Sequence, residues 1–339
     1  MKNYLGLGGL VLLMSLSMIA CGSRSEGGES NTEGEVTSVV SETSEEKIDY
    51  GKVYFRTMYV YADQYGNNFD DILIRPLFTK PEVCQNEVFE YEVSNEDICY
   101  VENGRVYATG INGNTKITAK SQHLKGQFYV YSSSSYANGG AFGTAKSLAN
   151  TASKATNQGT TLFVGDSFWE FWRNKTGIDR SFAQAFSGYD VANVGISGTQ
   201  AREWRSLRGK LIDPYKPANV VLNIGINDVD DNSEDGETTA EYIMTLCNDI
   251  WDTNPNCNIY YCSITRCSGF FAGKWNLHEQ SNTFMKANAE NNEKLHYLDI
   301  MEKYGDKYAD YEQDGLHPNT AGYAFFEEVI KANVPLKAK

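Results

Sequence analysis

The chain has 339 residues, with 30 Lys plus Arg against 44 Asp plus Glu and a formal net charge of -14. That length allows two domains, and 41% hydrophobic with 22% charged residues rules out wholesale disorder. The acidic balance argues against a nucleic-acid partner, which would need clustered Lys and Arg, and seven Cys with four His are too few for a dense disulfide scaffold.

At the amino end Lys2 precedes an apolar run from Tyr4 to Ala20, broken only by Gly and Ser. The run falls short of the roughly 20 residues that cross a bilayer, and it reads as a secretory signal. It closes on Ser17-Met18-Ile19-Ala20-Cys21-Gly22. A small residue before a single Cys at the end of such a run resembles the lipobox of bacterial lipoproteins. The resemblance implies that residues 1–20 are removed, that Cys21 is lipidated, and that the protein stands on the extracellular face of a bacterial membrane. Residues 22–47 hold seven Glu against Arg24 and Lys47, with Val36, Val39 and Val40 as the only large aliphatics. Such a segment buries too little surface to offset its ordering entropy, so 21–47 reads as an acidic tether.

From residue 48 to 133 the chain alternates and is rich in Tyr, Val, Ile, Phe and Thr. Strands are expected over 52–61, 71–74, 88–93, 115–120 and 127–131. Residues 98–101 and 105–108, joined through Asn103-Gly104, read as a hairpin. Strands at this spacing suggest a small sandwich. The stretch from Tyr91 to Gly110, continuing through Lys116-Ile-Thr-Ala, resembles bacterial immunoglobulin-like domains of group 2. That resemblance implies a surface spacer or adhesion module, of which the spacer is the simpler reading. Residues 134–159, rich in Ser, Ala, Gly, Asn and Thr, read as a linker in which 143–158 allows a short helix.

After residue 160 short apolar runs alternate with helical patterns. Strands are expected over 161–164, 190–194, 218–224, 258–264 and 295–299. In 237–254 Ala240, Ile243, Met244, Cys247, Ile250 and Trp251 define one helical face, and Pro255 follows as a stop. Five strands interleaved with helices imply a parallel sheet covered on both faces, with its site at the carboxyl ends of the strands. Those ends carry polar clusters. Strand one runs into Gly165-Asp166-Ser167-Phe168, strand two into Gly195-Ile196-Ser197-Gly198-Thr199, and strand three into Gly225-Ile226-Asn227-Asp228. Near the carboxyl terminus comes Asp314-Gly315-Leu316-His317-Pro318.

These residue types suit acyl transfer. A Ser hydroxyl needs a general base within hydrogen-bond reach, His fills that role near neutral pH, and a carboxylate fixes its tautomer. Backbone amides and an Asn amide can meet the developing oxyanion. The four clusters resemble the blocks of the SGNH hydrolases, also called the GDSL esterase and lipase family. The run Asn193-Val-Gly-Ile-Ser-Gly-Thr-Gln-Ala-Arg202 looks most like the branch around platelet-activating-factor acetylhydrolase catalytic subunits. The resemblance spans about residues 160–335, within a domain expected over 160–339, and implies a three-layer αβα sandwich with a five-stranded parallel sheet. It implies Ser167 as nucleophile, His317 as base and Asp314 as its orienting acid. The Ser167 amide, the Gly198 amide and the Asn227 side chain would be the oxyanion donors, and Asp166 would brace the loop around the nucleophile. Phe168 and Thr199 depart from the family pattern, with an aliphatic usual at the first position and an Asp common at the second. The Gly-x-Ser-x-Gly elbow of the α/β-hydrolases is absent from the sequence.

Phe168, Trp172, Arg266 and Trp275 are candidates for shaping the substrate site, with 266–277 as an irregular loop on the active-site side. For Phe168 and Trp172, core packing is the competing reading. Arg202 and Arg266 read either as ligands for a polar group or as partners of surface carboxylates. No cofactor is implied, and the remaining His residues lack metal-ligand spacing, so no metal is expected. Among the cysteines, Cys247 fits a buried helix face as a free thiol, and a disulfide between Cys84 and Cys99 is the one pairing expected. The leading functional reading is a serine esterase that deacetylates carbohydrate, its partner an ester-bearing small molecule or an acetylated polysaccharide. The runner-up is a lipid or lysophospholipid esterase. A non-catalytic glycan-binding surface protein is the third.

Overall fold

In a computed structural model the described residues are 48–339, apart from 63–67, 70–71, 134–140, 157 and 230–234. The signal, the lipobox-like segment with Cys21, and the acidic tether lie outside them.

The amino-terminal region is built from short strands: β1 (Val53–Tyr54), β2 (Met58–Tyr61), β3 (Ile72–Leu73), β4 (Leu77–Phe78), β5 (Glu90–Val93), β6 (Cys99–Glu102), β7 (Arg105–Ala108), β8 (Gly113–Lys120) and β9 (Lys125–Ser133). A single turn of helix, α1 (Pro81–Cys84), interrupts them. One sheet has the order β2-β9-β8-β5 and another β3-β7-β6, while β1 pairs with β4. The two larger sheets share a core of Met58, Val60, Ile72, Val106, Ile117 and Phe128, contributed by alternate residues of each strand. The expected hairpin is β6–β7, and Asn103 (φ 51°) with Gly104 (φ 72°) takes the two left-handed positions that an Asn-Gly turn supplies. The run 52–61, expected as one strand, is divided into β1 and β2. Cys84 and Cys99 are both free thiols and sit in different clusters of the core, so the expected disulfide is not formed.

The stretch expected as a linker contains α2 (Ala141–Ala152), whose Phe142, Ala145 and Ala152 are buried. There follow β10 (Thr161–Gly165), α3 (Ser167–Asn174), α4 (Phe182–Ala185), β11 (Val191–Asn193), α5 (Ala201–Leu211), β12 (Asn219–Asn223), α6 (Gly236–Thr253), β13 (Asn258–Cys262), α7 (Trp275–Glu290), β14 (Leu295–Leu298), α8 (Ile300–Tyr304) and α9 (Thr320–Asn333). The five strands form one parallel sheet in the order β11-β10-β12-β13-β14. This is a doubly wound α/β fold, and its order reverses between β10 and β12. Successive residues of β10 point to opposite faces. Leu162 and Val164 join the cluster covered by α2, α5, α6 and α7, and Phe163 joins the one covered by α3, α4, α8 and α9. Within α6 the helical face carries Cys247, fully buried, as the periodicity requires.

The β region lies directly on α5. Tyr61 and Phe69 belong to the same core as Trp204, Leu207 and Phe142. Tyr61 donates from its backbone N–H to Ser206 Oγ at 3.2 Å and from its hydroxyl to Glu203 at 3.0 Å. Arg205 donates to the Leu73 carbonyl at 2.6 Å, and Arg75 reaches Asp249 of α6 at 2.8 Å.

Candidate active site

The switch point between β10 and β12 places Ser167 and Asn227 beside each other, because each follows one of those paired strands. Gly165 ends β10 at φ 154°, and a Cβ there would lie 1.9 Å from the Asn223 carbonyl oxygen, so only Gly lets the chain turn so close to β12. Asp166 then caps α3, its carboxylate accepting from the Phe168 N–H at 3.0 Å. Ser167 is the first residue of that helix, where a backbone N–H has no intrahelical acceptor and the helix dipole favours negative charge. It is 7% exposed.

His317 arrives from the loop before α9. That loop is closed at its base by the Gln313 N–H donating to the His317 carbonyl at 2.9 Å and by an isolated bridge between Glu312 and Pro318. Within it, Asp314 Oδ1 accepts from the backbone N–H groups of Leu316 (3.1 Å) and His317 (2.8 Å), a turn that fixes the carboxylate. Gly315 at φ 81° allows the chain to reverse there and packs on Gly269, whose N–H donates to the Gly315 carbonyl at 2.7 Å. As a result His317 Nδ1 lies 2.7 Å from Asp314 Oδ2, and His317 Nε2 lies 2.8 Å from Ser167 Oγ. Phe171, one helical turn after Ser167 on the same face of α3, stacks on the His317 ring at 4.0 Å. Tyr323 of α9 donates to the Phe168 carbonyl at 2.6 Å and holds α3 against α9.

Burial alone would raise the Asp314 carboxyl, but its backbone and side-chain hydrogen bonds from His317 prevail and hold it below the usual carboxylate range. It is therefore an anion wherever imidazole is the working base, and it can hold Nδ1–H and stabilise imidazolium. Asp314→Asn removes that charge while keeping the size. Because the Asp314 side chain is 46% exposed, solvent screens part of its effect. The expected loss in kcat is about 100- to 1,000-fold, short of the roughly 10,000-fold known for a buried triad carboxylate. Steady-state rates on an activated ester measure it.

Asn227 sits in the turn after β12, closed by the Asp228 N–H donating to Gly225 O at 3.2 Å. Its Nδ2 donates to the Thr199 carbonyl at 3.1 Å, which sets the plane of the amide, while Asp166 Oδ2 stands 3.5 Å away, too far for a strong bond. The second amide hydrogen is thus available to a stronger acceptor. Gly198, at φ 74°, occupies the turn that leads into α5. The residue expected to be Asp in this turn, Thr199, donates its hydroxyl to Ile196 O at 2.7 Å and accepts from Trp204 Nε1 at 3.0 Å.

Asp166 is fully buried, and desolvation pushes its carboxyl up to about 7 against the opposing hydrogen bond from Phe168. The folded chain thus holds this proton more tightly than the unfolded chain does, so Asp166 costs stability progressively as pH rises from about 4 to about 7. Asp166→Asn abolishes that dependence. The melting temperature of the variant relative to the parent should rise between pH 4 and pH 8, and a pH-independent difference would refute the assignment. The same variant turns an amide donor toward Asn227, so a lower kcat accompanies it.

The substrate-shaping candidates divide. Phe168 and Trp172 are buried in the core, Trp172 against Phe182, Phe186 and Tyr323, so they do not line a substrate surface. Segment 266–277 is less irregular than expected, with a 3-10 turn at Ala272–Lys274 and α7 starting at Trp275. Its first part nevertheless crosses the carboxyl end of the sheet, from Gly269 on the Gly315 loop to Lys274, whose Nζ reaches Val229 O at 3.4 Å. Phe270 stands on it 77% exposed. Arg266 lies over the rings of Tyr308 (4.7 Å) and Trp275 (6.0 Å). Arg202 is not at the surface: it is buried and donates to Gln200 at 2.6 Å. Phe171, for which core packing and substrate stacking are the two readings of the sequence, stacks on His317 instead. Gln200 is a site neighbour that the motifs missed, signalled by the capping pair Gln200 and Glu203.

Residues 163–325 match the model of the GDSL-like Lipase/Acylhydrolase family. The chain is similar to the N-acylneuraminate cytidylyltransferase of Escherichia coli O18:K1:H7, 25% identical over 171 residues that cover 49% of this chain and 38% of that one. It thus spans well under half the length of that relative. Among solved structures it is similar to a GDSL-like lipase of Bacteroides thetaiotaomicron (20% identity, TM-score 0.44, covering 56% of this chain and 95% of that one). A catalytic mutant of an acetylxylan esterase from Geobacillus stearothermophilus is also similar (22% identity, TM-score 0.42, covering 54% and 97%).

Proposed function

We propose, from the premise that the α/β domain belongs to the GDSL-like lipase/acylhydrolase family, that the protein hydrolyses carboxylic esters through an acyl-enzyme on Ser167. The observation that carries this reading is the position of His317, bridging Ser167 Oγ at 2.8 Å and Asp314 Oδ2 at 2.7 Å. His317 Nε2 takes the hydroxyl proton as Ser167 Oγ attacks the ester carbonyl, and Asp314 holds the opposite N–H. The Ser167 and Gly198 amides and Asn227 Nδ2 receive the oxyanion. His317 then returns the proton to the departing alkoxide, and water attacks the acyl-enzyme by the same route in reverse.

The acyl group is short, of the size of acetyl. A long chain gains about 0.8 kcal/mol per methylene only where apolar surface receives it. Of the large apolar side chains next to Ser167, Phe168, Trp169 and Trp172 are already enclosed in the core, and the half-buried Phe171 is stacked on His317. The alcohol side is carbohydrate. Support comes from the resemblance of residues 17–22 to a lipobox, which implies an anchor at Cys21 on the extracellular face of a bacterial membrane, where acetylated wall or environmental polymers are met. The exposed Phe270 favours one alternative, a lipid ester. The test uses residues 48–339 on 4-nitrophenyl acetate, butyrate and octanoate, with acetate release from acetylated xylan and peptidoglycan. The expected order is acetate over octanoate, with acetate released from polymer. Preference for octanoate replaces the carbohydrate reading with the lipid one, and inertness toward every ester removes the catalytic reading.

A further inference from the structure

Helix α5 serves two surfaces at once. The three residues at its start grip the turn that carries Asn227. The Thr199 carbonyl accepts from Asn227 Nδ2 at 3.1 Å, Gln200 Nε2 donates to the Asn227 carbonyl at 3.0 Å, and the Ala201 N–H donates to the Asp228 carboxylate at 3.0 Å. The next residues of the same helix hold the β region. Arg202 lies 4.3 Å over the ring of Tyr59, Glu203 accepts from the Tyr61 hydroxyl, Arg205 donates to Leu73 O, and Ser206 accepts from the Tyr61 N–H. Two side chains join the two sets: Glu203 accepts from the Gln200 N–H at 2.8 Å as well as from the Tyr61 hydroxyl, and Arg202 Nε donates to Gln200 Oε1 at 2.6 Å while its guanidinium rests on Tyr59. Tyr59 is in turn stacked on Tyr131 of the neighbouring strand, at 5.3 Å and 13° between planes, which fixes the ring that the guanidinium lies on.

We infer that the β region completes the catalytic centre, with Tyr59 and Arg202 acting as positioning residues that hold Asn227 in its oxyanion-binding pose through Gln200. The inference rests on the ester-hydrolase reading. The chemistry of each link fits. A planar guanidinium stacks on an aromatic face and donates from Nε in its own plane, which an ammonium cannot do. The Gln200 amide then has its oxygen fixed by Arg202, which aims its NH2 at the Asn227 carbonyl. An oxyanion donor acts in the transition state, so its misplacement lowers kcat and leaves ground-state binding nearly unchanged.

The experiment compares Tyr59→Phe, Tyr59→Leu, Arg202→Lys and Gln200→Glu in the 48–339 chain, with kcat expressed per active site titrated by a fluorophosphonate. Tyr59→Phe keeps the ring and stays within about twofold of the parent. Tyr59→Leu, Arg202→Lys and Gln200→Glu each lower kcat on 4-nitrophenyl acetate about tenfold, less than the 100- to 1,000-fold cost of deleting a donor outright, with KM within about twofold. Phosphonylation of Ser167 slows in parallel, since that reaction also develops charge on an oxygen in the same hole. Unchanged kcat and labelling in Tyr59→Leu and Gln200→Glu overturn the inference, as does a KM effect without a kcat effect. A parent protein that neither hydrolyses an ester nor labels at Ser167 fails one step earlier, at the ester-hydrolase reading.

Discussion

Ser167→Ala reduces hydrolysis of 4-nitrophenyl acetate by at least about 10,000-fold, to what a preorganised oxyanion site alone supplies. The nucleophile in this site is a single oxygen. His317 Nε2 approaches it at 2.8 Å, and the helix start places it under the first amide of α3. Removing Oγ leaves that amide, Asn227 and the triad loop in place, because Asp314 holds His317 through two hydrogen bonds of its own and Phe171 covers the ring. The fold should therefore be spared. The lost bond is one of modest net worth, about 1 kcal/mol, and Ala fits the first turn of a helix without strain. Activity is measured at saturating ester, and the fluorophosphonate adduct at Ser167, read by mass, should vanish with it. Residual activity within tenfold of the parent places the nucleophile elsewhere. In that case the contacts among Ser167, His317 and Asp314 are structural.

Much of this site is legible in the sequence for a physical reason. Catalytic groups at strand ends belong to short local motifs, and a parallel sheet must bring its strand ends together whatever else the chain does. Gly165-Asp166-Ser167, Asn227-Asp228 and Asp314-x-x-His317 are each contained in a few residues, so each is visible without knowing what packs on it. The elements around them are less visible. Phe142, Ala145, Leu148 and Ala152 form one face of α2, but they lie among Ser, Gly, Asn and Thr, a composition that also describes a linker. Arg202 reads as a surface cation because a sequence shows that a side chain is charged, not that Tyr59, 143 positions earlier, offers it a ring. Periodicity identifies an apolar face and leaves open what covers it. On α5 the answer is the β region, whose Tyr61 and Phe69 pack with Trp204 and Leu207.

That docking has the larger consequence for stability. Tyr61 is fully buried, stacks parallel to Phe142 at 6.0 Å, and donates to Glu203, itself buried beside Trp204 and Leu207 in sequence and space. Tyr61→Ala opens a cavity at the centre of this cluster, which for an aromatic costs about 3–5 kcal/mol. It also withdraws a hydrogen bond from a buried carboxylate, adding about 1–3 kcal/mol. Together these approach the whole stability of a typical domain, about 5–15 kcal/mol, so the variant should unfold at much lower urea and be largely insoluble at 37 °C. Tyr61→Phe keeps the stack and loses the bond to Glu203, so it should cost about 1–3 kcal/mol and remain soluble. Excision of residues 48–133 exposes Phe142, Trp204 and Leu207 together, and the remaining α/β domain should aggregate. Urea melts of the two point variants and the yield of the excised chain test one statement by three routes. If residues 141–339 alone are soluble and turn over esters at the parent rate, the β region is a detached spacer after all, and the positioning of Asn227 through Tyr59 falls with it.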